Sequence, residues 1–521
     1  MAMKHAFFVC LIITFLFSCS SETTTSGNIN WWCTQTPYYE TCNHYIAEPN
    51  PYMTTISTNQ FLDMTVQAAI DEARVALKRA QGIESKYPNV PGKSLWGSCV
   101  EYIDGIVFTL NMVLNHTLHP TQLDVQTWLS ASLAYINVCE KGFELINMTN
   151  TMLPLISTNL TQLILNSLAI SVLFRGSNTN NAPESVDWKQ RDLALECTPN
   201  VVVAQDGSGD FETVQEAVNS ASNRTQSRRY VIYVKAGIYD ENVVIPRTVE
   251  YITMFGDGIN KTIITGSRGL GGDMVGTSKA GDLKQTATFQ VWGRGFIARD
   301  ITFRNTAGPQ GEKAVALLTS SDQSAFYHCS IEGYQDTLFT FSSKQFYKEC
   351  QIFGTVDFIF GDAPAVFQDC EIFIRKPPLE EGGLVVTANG RKYENETSGY
   401  TLQGCKITAA DDLKPVIDQH KAFLGRPWYP HAETVYMQCF LDELVDPKGW
   451  MDTWGYNETI YYGEYKNYVP GSSTDERVKW SGYHAIDDPN IAEDFTVDKF
   501  MSGNQWLPAT GVPFTSGFEN L

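Results

Sequence analysis

The sequence has no C-x-x-C pair and no H-E-x-x-H, and its eight histidines are scattered along the chain. The usual thiolate and imidazole frameworks for zinc are therefore missing, and neither a metal nor another cofactor is expected. A G-x-S-x-G stretch is also absent, which removes the exposed serine of the common esterase elbow. Positive charge is in deficit: 38 lysines and arginines face 58 aspartates and glutamates, a net charge of −20. So acidic a chain lacks the footprint of a nucleic-acid binder, and no nucleic-acid partner is expected. No apolar run, at the start or later, approaches the roughly 20 residues that cross a bilayer.

What is present fits an exported protein of two folded domains. The 521 residues are too many for one compact unit. Residues 1–21 read as a signal peptide, with Lys4, an apolar stretch from Ala6 to Phe17, and small residues at Ser18–Ser21. Once it is removed, no membrane association is expected. Seven N-x-[ST] sequons, at Asn115, Asn147, Asn159, Asn223, Asn260, Asn395 and Asn457, favour the secretory route. Of twelve cysteines, Cys10 and Cys19 leave with the signal, and the other ten predict a few disulfides.

Residues 28–175 carry helical periodicity. From Asn59, Phe61, Met64, Val66, Ala69, Ile70, Ala73 and Val75 recur at three- and four-residue steps, an amphipathic helix. Similar patterns follow in DVQTWLSASLAYINVCEKGFEL and NLTQLILNSLAISVLF, so an all-α four-helix bundle is predicted. Cys33 and Cys42 enclose eight residues, while Cys99 and Cys139 lie near or within helices. This arrangement resembles the pectin methylesterase inhibitor domain. The resemblance implies one disulfide closing the short loop, Cys33–Cys42, and a second tying two helices, Cys99–Cys139. Nothing in this third offers catalytic chemistry. Residues 176–198 break the pattern with Gly, Asn and Pro and read as a linker. The family places a basic cleavage motif there, and Lys189–Leu193 is a weakened version of it.

Residues 199–521 change character to short β-branched and aromatic runs punctuated by Gly and Asn. Cys329, Cys350 and Cys370 are 21 and 20 residues apart, with Ile331, Ile352 and Ile372 in step. A strand-like repeat near 20 residues predicts an all-β right-handed parallel β-helix. Neighbouring coils lie about 4.8 Å apart. Stacked cysteines then fall within the Cα separations a disulfide accepts, and Cys350–Cys370 is expected as a third bridge. Asp336 and Asp357 share the 21-residue step, so they should stack on adjacent coils. Two carboxylates that close cannot both ionise freely, which gives an acid and a nucleophile from one residue type. On spacing alone they serve equally well as turn caps.

The flanking sequences decide between these. KAGIYDE at Lys235–Glu241, GYQDTLF at Gly333–Phe339, GTVDFIFGDA at Gly354–Ala363, LGRPW at Leu424–Trp428 and YYGEYKNY at Tyr461–Tyr468 together resemble the pectin methylesterase family, over essentially all of residues 198–521. The resemblance implies hydrolysis of methyl esters on homogalacturonan in the plant cell wall, with Asp357 as nucleophile and Asp336 as general acid and base. Gln335 becomes an oxyanion donor, Arg426 the fork on Asp357, and Trp428 a sugar platform. Phe360, Phe339 and Trp450 are expected to extend an aromatic cleft. The implied partners are pectin and, within the chain, the inhibitor-like domain.

Two positions depart from the family. Lys313 stands where a second glutamine donor is usual, offering a mobile charge that can also lower an aspartate's pKa. Asp282, Leu283 and Lys284 replace the residues that commonly precede the TATF stretch, leaving substrate contacts there in doubt. Lys313 keeps open a pectin-binding or inhibitory homologue with weakened or lost activity. On fold alone, a glycosidase or lyase acting on the same polymer also stands.

Overall fold

The computed structural model describes residues 26–86, 93–145, 158–173, 198–224, 229–271, 282–378 and 383–518. The expected signal at 1–21 and the segment 189–193 lie outside them.

Four helices, α1 (Thr58–Lys86), α2 (Lys93–Leu114), α3 (Gln122–Leu145) and α4 (Thr158–Ser171), pack as a closed bundle. In α1 the side chains of Phe61, Val66, Ala69, Ile70 and Ala73 are buried, as the periodicity predicts. Val75 is not: it is 40 % exposed, because the inward place one turn after Ala73 falls on Ala76. A reciprocal cap starts α3, with the Thr121 N–H donating to Asp124 Oδ2 (2.9 Å) and the Asp124 N–H to Thr121 Oγ1 (3.1 Å). Cys33–Cys42 closes its short loop and Cys99–Cys139 ties α2 to α3, each with Cα atoms 5.4 Å apart. Against the expectation for the later sequence, Leu95–Leu114 is long and apolar enough to cross a membrane. It buries Ile103, Ile106 and Leu110 inside the bundle, the pattern of a core helix.

From Val201 the chain winds through three parallel sheets of eleven, eight and seven strands. Each coil adds a strand to successive sheets, which is a parallel β-helix. The repeat read from the sequence is the register: Ile331, Ile352, Ile372 and Ile407 stand in line on four coils. Aromatic side chains stack the same way, Phe326 on Tyr347 at 4.9 Å and Tyr347 on Phe367 at 4.7 Å.

The expected Cys350–Cys370 bridge is absent. Both are free thiols, buried in a row with Cys329, Cys405 and Cys439. Parallel register points their Cβ atoms the same way at the coil spacing of about 4.8 Å, beyond the roughly 3.8 Å that a disulfide prefers. Each thiol instead donates to a carbonyl, Cys350 to Phe326 O and Cys370 to Tyr347 O, both at 3.4 Å.

The seven-stranded sheet positions everything that follows. In chain order its strands are β1 (Val243–Ile245), β2 (Phe289–Val291), β3 (Leu317–Thr319), β4 (Leu338–Thr340), β5 (Ile359–Gly361), β6 (Leu384–Asn389) and β7 (Ala422–Gly425). The bundle sits on its outer face. Tyr102 and Tyr135 pack on Phe341 at 5.4 and 5.3 Å, in one apolar cluster with Trp292, Phe339 and Phe360. Buried polar contacts fix the register of the two parts: Trp128 Nε1 donates to Asp322 Oδ2 (3.0 Å), and Tyr135 OH meets Ser320 Oγ (2.9 Å). Among the described residues four ion pairs cross the junction, Glu101–Lys284, Asp104–Arg247 (3.9 Å), Asp124–Lys344 and Glu140–Lys392 (2.9 Å). In every one the bundle supplies the acid.

Candidate active site

Asp336 and Asp357 occupy the corners leading into β4 and β5, on adjacent coils and one face. Both are left-handed, with φ of +60° and +50°, a conformation aspartate adopts more readily than most residues. The Asp336 N–H donates to Val356 O (3.1 Å), hooking the two corners together.

Their electrostatics differ. Asp336 is 5 % exposed, and burial pushes its pKa up to about 7. Lys313 pulls that value down, the Asp357 charge pushes it up, and Arg426 pulls it down. A carboxyl that keeps its proton near neutrality can act as a general acid. Asp357 is forked by Arg426, whose Nε donates to Oδ1 at 2.7 Å and Nη2 to Oδ2 at 2.5 Å. Arg426 follows directly on β7, where its own N–H is tied to Thr387 O (3.0 Å).

Above the aspartates lies a cleft of about 520 Å³. Asp336, Asp357, Arg426, Trp428, Phe360, Phe339 and Lys313 all line it, so the structure brings seven of the nine predicted site residues together. Gln335 is half-buried beside Asp336, and its backbone pairs with Lys313, but it is not among the lining residues. Phe360 stacks on Phe339 with ring centres 4.4 Å apart, and Trp428 leans on Phe360 at 6.0 Å. Trp450 belongs elsewhere. It is 1 % exposed, stacked on Tyr462 at 4.1 Å, and donates to Glu464 Oε1 (3.3 Å), so it is core and not cleft.

The bundle provides the other wall, through Leu95, Tyr102, Val138, Lys141, Gly142 and Glu144. The departure at Asp282–Lys284 is explained here. Asp282 accepts from Ser98 Oγ (2.8 Å) and Lys284 pairs with Glu101, so these residues hold the bundle. Sequence reading missed Tyr429, which lines the cleft and stacks on Trp428 with ring centres 5.5 Å apart.

Comparison with known proteins agrees with this fold. The pectinesterase family model matches residues 200–504, and the plant invertase/pectin methylesterase inhibitor model matches residues 27–170. Pectinesterase 2 of Citrus sinensis is 44 % identical over 99 % of this chain and all of that protein. Among solved structures, pectin methylesterase from carrot is 44 % identical, with a TM-score of 0.59 over 62 % of this chain and 98 % of that one. The Aspergillus niger pectin methylesterase is 28 % identical, with a TM-score of 0.50 over 60 % and 96 %. The β-domain thus has the right-handed parallel β-helix fold of these enzymes, and the chain belongs to the pectinesterase family of carboxylic ester hydrolases, with an inhibitor-family domain fused in front.

Proposed function

We propose that this chain hydrolyses methyl esters of homogalacturonan in the cell wall, using Asp357 as nucleophile and Asp336 as acid and base. The observation that carries the reading is the pairing of a proton-retaining Asp336 with an Arg426-clamped Asp357 in one cleft. An Asp357 oxygen adds to the ester carbonyl, and the carbonyl electrons move to an oxyanion. Lys313, which lines the cleft, offers a side-chain donor to that oxyanion, and Gln335 is the donor that the family resemblance assigns. As the C–O bond breaks, Asp336 gives its proton to the departing methoxy oxygen and methanol leaves. Asp336, now a carboxylate, takes a proton from water, whose oxygen attacks the anhydride. Collapse frees the galacturonate carboxyl and returns Asp357 as a carboxylate and Asp336 as an acid. Trp428 and Phe360 offer faces for sugar rings.

The bundle restrains this site, because it walls the cleft and must shift for a polymer to enter. Export under the signal at 1–21 and cutting within 176–198 would place the released enzyme outside the cell. The test is methanol release from highly methylated pectin, by the intact secreted chain and by chain cut within 176–198. Methanol without shortening of the polymer is expected, faster after the cut. Cleaved or unsaturated oligogalacturonides would instead assign a glycosidase or lyase.

A further inference from the structure

Tyr462 and Glu464 face one way on the strand Tyr461–Tyr465, into the β-helix, while Tyr461 and Tyr465 face the other way, into the apolar cluster with Phe495. A carboxylate in that interior needs a partner. Arg477 supplies it, with Nε donating to Oε1 at 2.8 Å and Nη2 to Oε2 at 3.2 Å, and both side chains are buried. The Tyr483 hydroxyl also donates to Glu464 Oε1 (3.3 Å). Replacing such a pair by apolar residues of similar volume is often neutral or stabilising, so stability accounts poorly for its presence. Direction accounts for it better.

What the pair directs is Trp450 and, through it, the end of β7. Trp450 Nε1 donates to Glu464 Oε1 (3.3 Å), and its ring stacks on Tyr462 with centres 4.1 Å apart. Arg477 holds the same segment from its other side, Nη1 donating to Pro447 O (3.0 Å). A Cβ at Gly449 would stand 2.4 Å from Arg477 Cδ, and φ there is +70°, so that place takes glycine. The segment so fixed runs along β7: the Leu424 N–H donates to Gly449 O (2.8 Å) and the Met451 N–H to Gly425 O (3.0 Å). At Gly425 a Cβ would stand 3.0 Å from the Trp450 ring, so the indole lies against the backbone one residue before Arg426. The Tyr462 hydroxyl is buried with no hydrogen-bond partner among the described residues. Burial and then the Asp357 charge push its pKa up, and Arg426 pulls it down, so the stack reaches the field of the fork itself.

We propose that Glu464 is a positioning residue: with Arg477 it aims Trp450, and the Trp450–Tyr462 stack sets the backbone from which Arg426 reaches the Asp357 carboxylate. Its consequence for turnover rests on the reading of Asp357 as nucleophile.

The test uses the full chain with two variants. Glu464→Gln keeps the shape and removes the charge, and Trp450→Phe keeps a ring on Tyr462 and removes the Nε1–H. The first readout is the rate at which phenylglyoxal, an arginine-selective dicarbonyl, modifies Arg426, followed by peptide mass spectrometry. Arg391, paired with Glu433 at 2.7 Å, is the internal control. A guanidinium locked on a carboxylate resists the reagent, so Arg426 should react about tenfold faster in each variant, the scale of one hydrogen bond to a charged group, with Arg391 unchanged. The second readout is methanol release from pectin, where kcat should fall about tenfold with KM unchanged. Glu464→Gln added to Arg426→Lys should cost almost nothing more, because both act on one contact. Arg426 reacting at the wild-type rate in both variants, or Arg426 and Arg391 accelerating together, overturns the positioning role, as does a full further loss in the Arg426→Lys background. Where Glu464→Gln does not fold, Trp450→Phe decides by the same two readouts. Faster reaction of Arg426 alone, with no methanol from any pectin by the wild-type chain intact or cut within 176–198, supports the positioning of Arg426 and rejects the esterase reading.

Discussion

Arg426 grips both oxygens of Asp357, Nε on Oδ1 at 2.7 Å and Nη2 on Oδ2 at 2.5 Å, across 69 residues of sequence. The fork fixes the plane of the carboxylate, and with it the direction from which a lone pair can reach an ester carbon. A lysine at this place keeps the charge and loses the second contact. Arg426→Lys is therefore expected to lower kcat about 10- to 100-fold with little change in KM. An Arg426→Lys variant as fast as wild type, with Arg426→Ala slow, would show that charge alone suffices.

Lys313 is the cation that pulls the Asp336 pKa down from where burial would take it, leaving it at about 7. Asp336 must hold a proton in the free enzyme to release methanol, so kcat/KM falls as pH rises through its pKa. Lys313→Gln removes the downward pull, the pKa rises, and the alkaline limb of the kcat/KM profile should move to higher pH. An unmoved limb, with Asp336→Asn inactive, would mean that Lys313 does not reach the acid in solution.

Periodicity made much of the fold legible. The helical steps gave the core of α1, and the 20- and 21-residue spacing was the register that stacks Ile331 on Ile352 and Asp336 beside Asp357. The same spacing misled for Cys350 and Cys370, because stacking aligns Cβ atoms and disulfide geometry needs them to converge. Trp450 failed for another reason: a strand sequence does not say which of its aromatic residues faces the core. Lys284 was conspicuous as a departure, yet its partner Glu101 lies 183 residues away, and no local pattern connects them. Contacts between domains follow from surfaces formed only after each has folded.

A second buried acidic pair sets how stability varies with pH. Asp362 and Glu396 are 6 % and 2 % exposed. Burial pushes Glu396 up to about 7, and burial and then the Glu396 charge push Asp362 well above the carboxylate range. The unfolded values are about 4. Between about pH 4 and 7 the folded chain binds more protons than the unfolded one, so this contribution is full below that window and lost as pH rises through it. The melting temperature should fall from about pH 5 to pH 8, and Asp362→Asn, which removes one of the charges, should flatten the slope. A slope unchanged by Asp362→Asn would assign the loss to other groups.

The junction between bundle and β-helix can be opened at one ion pair. Lys344 is only 2 % exposed and pairs with Asp124 of the α3 cap, itself 14 % exposed. Removing one member of a buried pair leaves an uncompensated charge, which typically costs about 3–5 kcal/mol. Here Asp322 also faces Lys344, accepting its backbone N–H at 3.3 Å, so the loss should fall toward the lower end. Asp124→Asn is the clean probe, since the amide oxygen can still accept from Thr121 and preserve the helix cap. The cost then falls on docking, and the variant should release methanol faster than wild type while its bundle stays helical. Replacing the pair with apolar residues of similar volume, Asp124→Leu with Lys344→Met, removes both charges and should restore restraint. Turnover and circular dichroism measured on the three chains decide the matter: a single variant no faster than wild type, with its helices intact, would mean that this pair does not hold the bundle over the cleft.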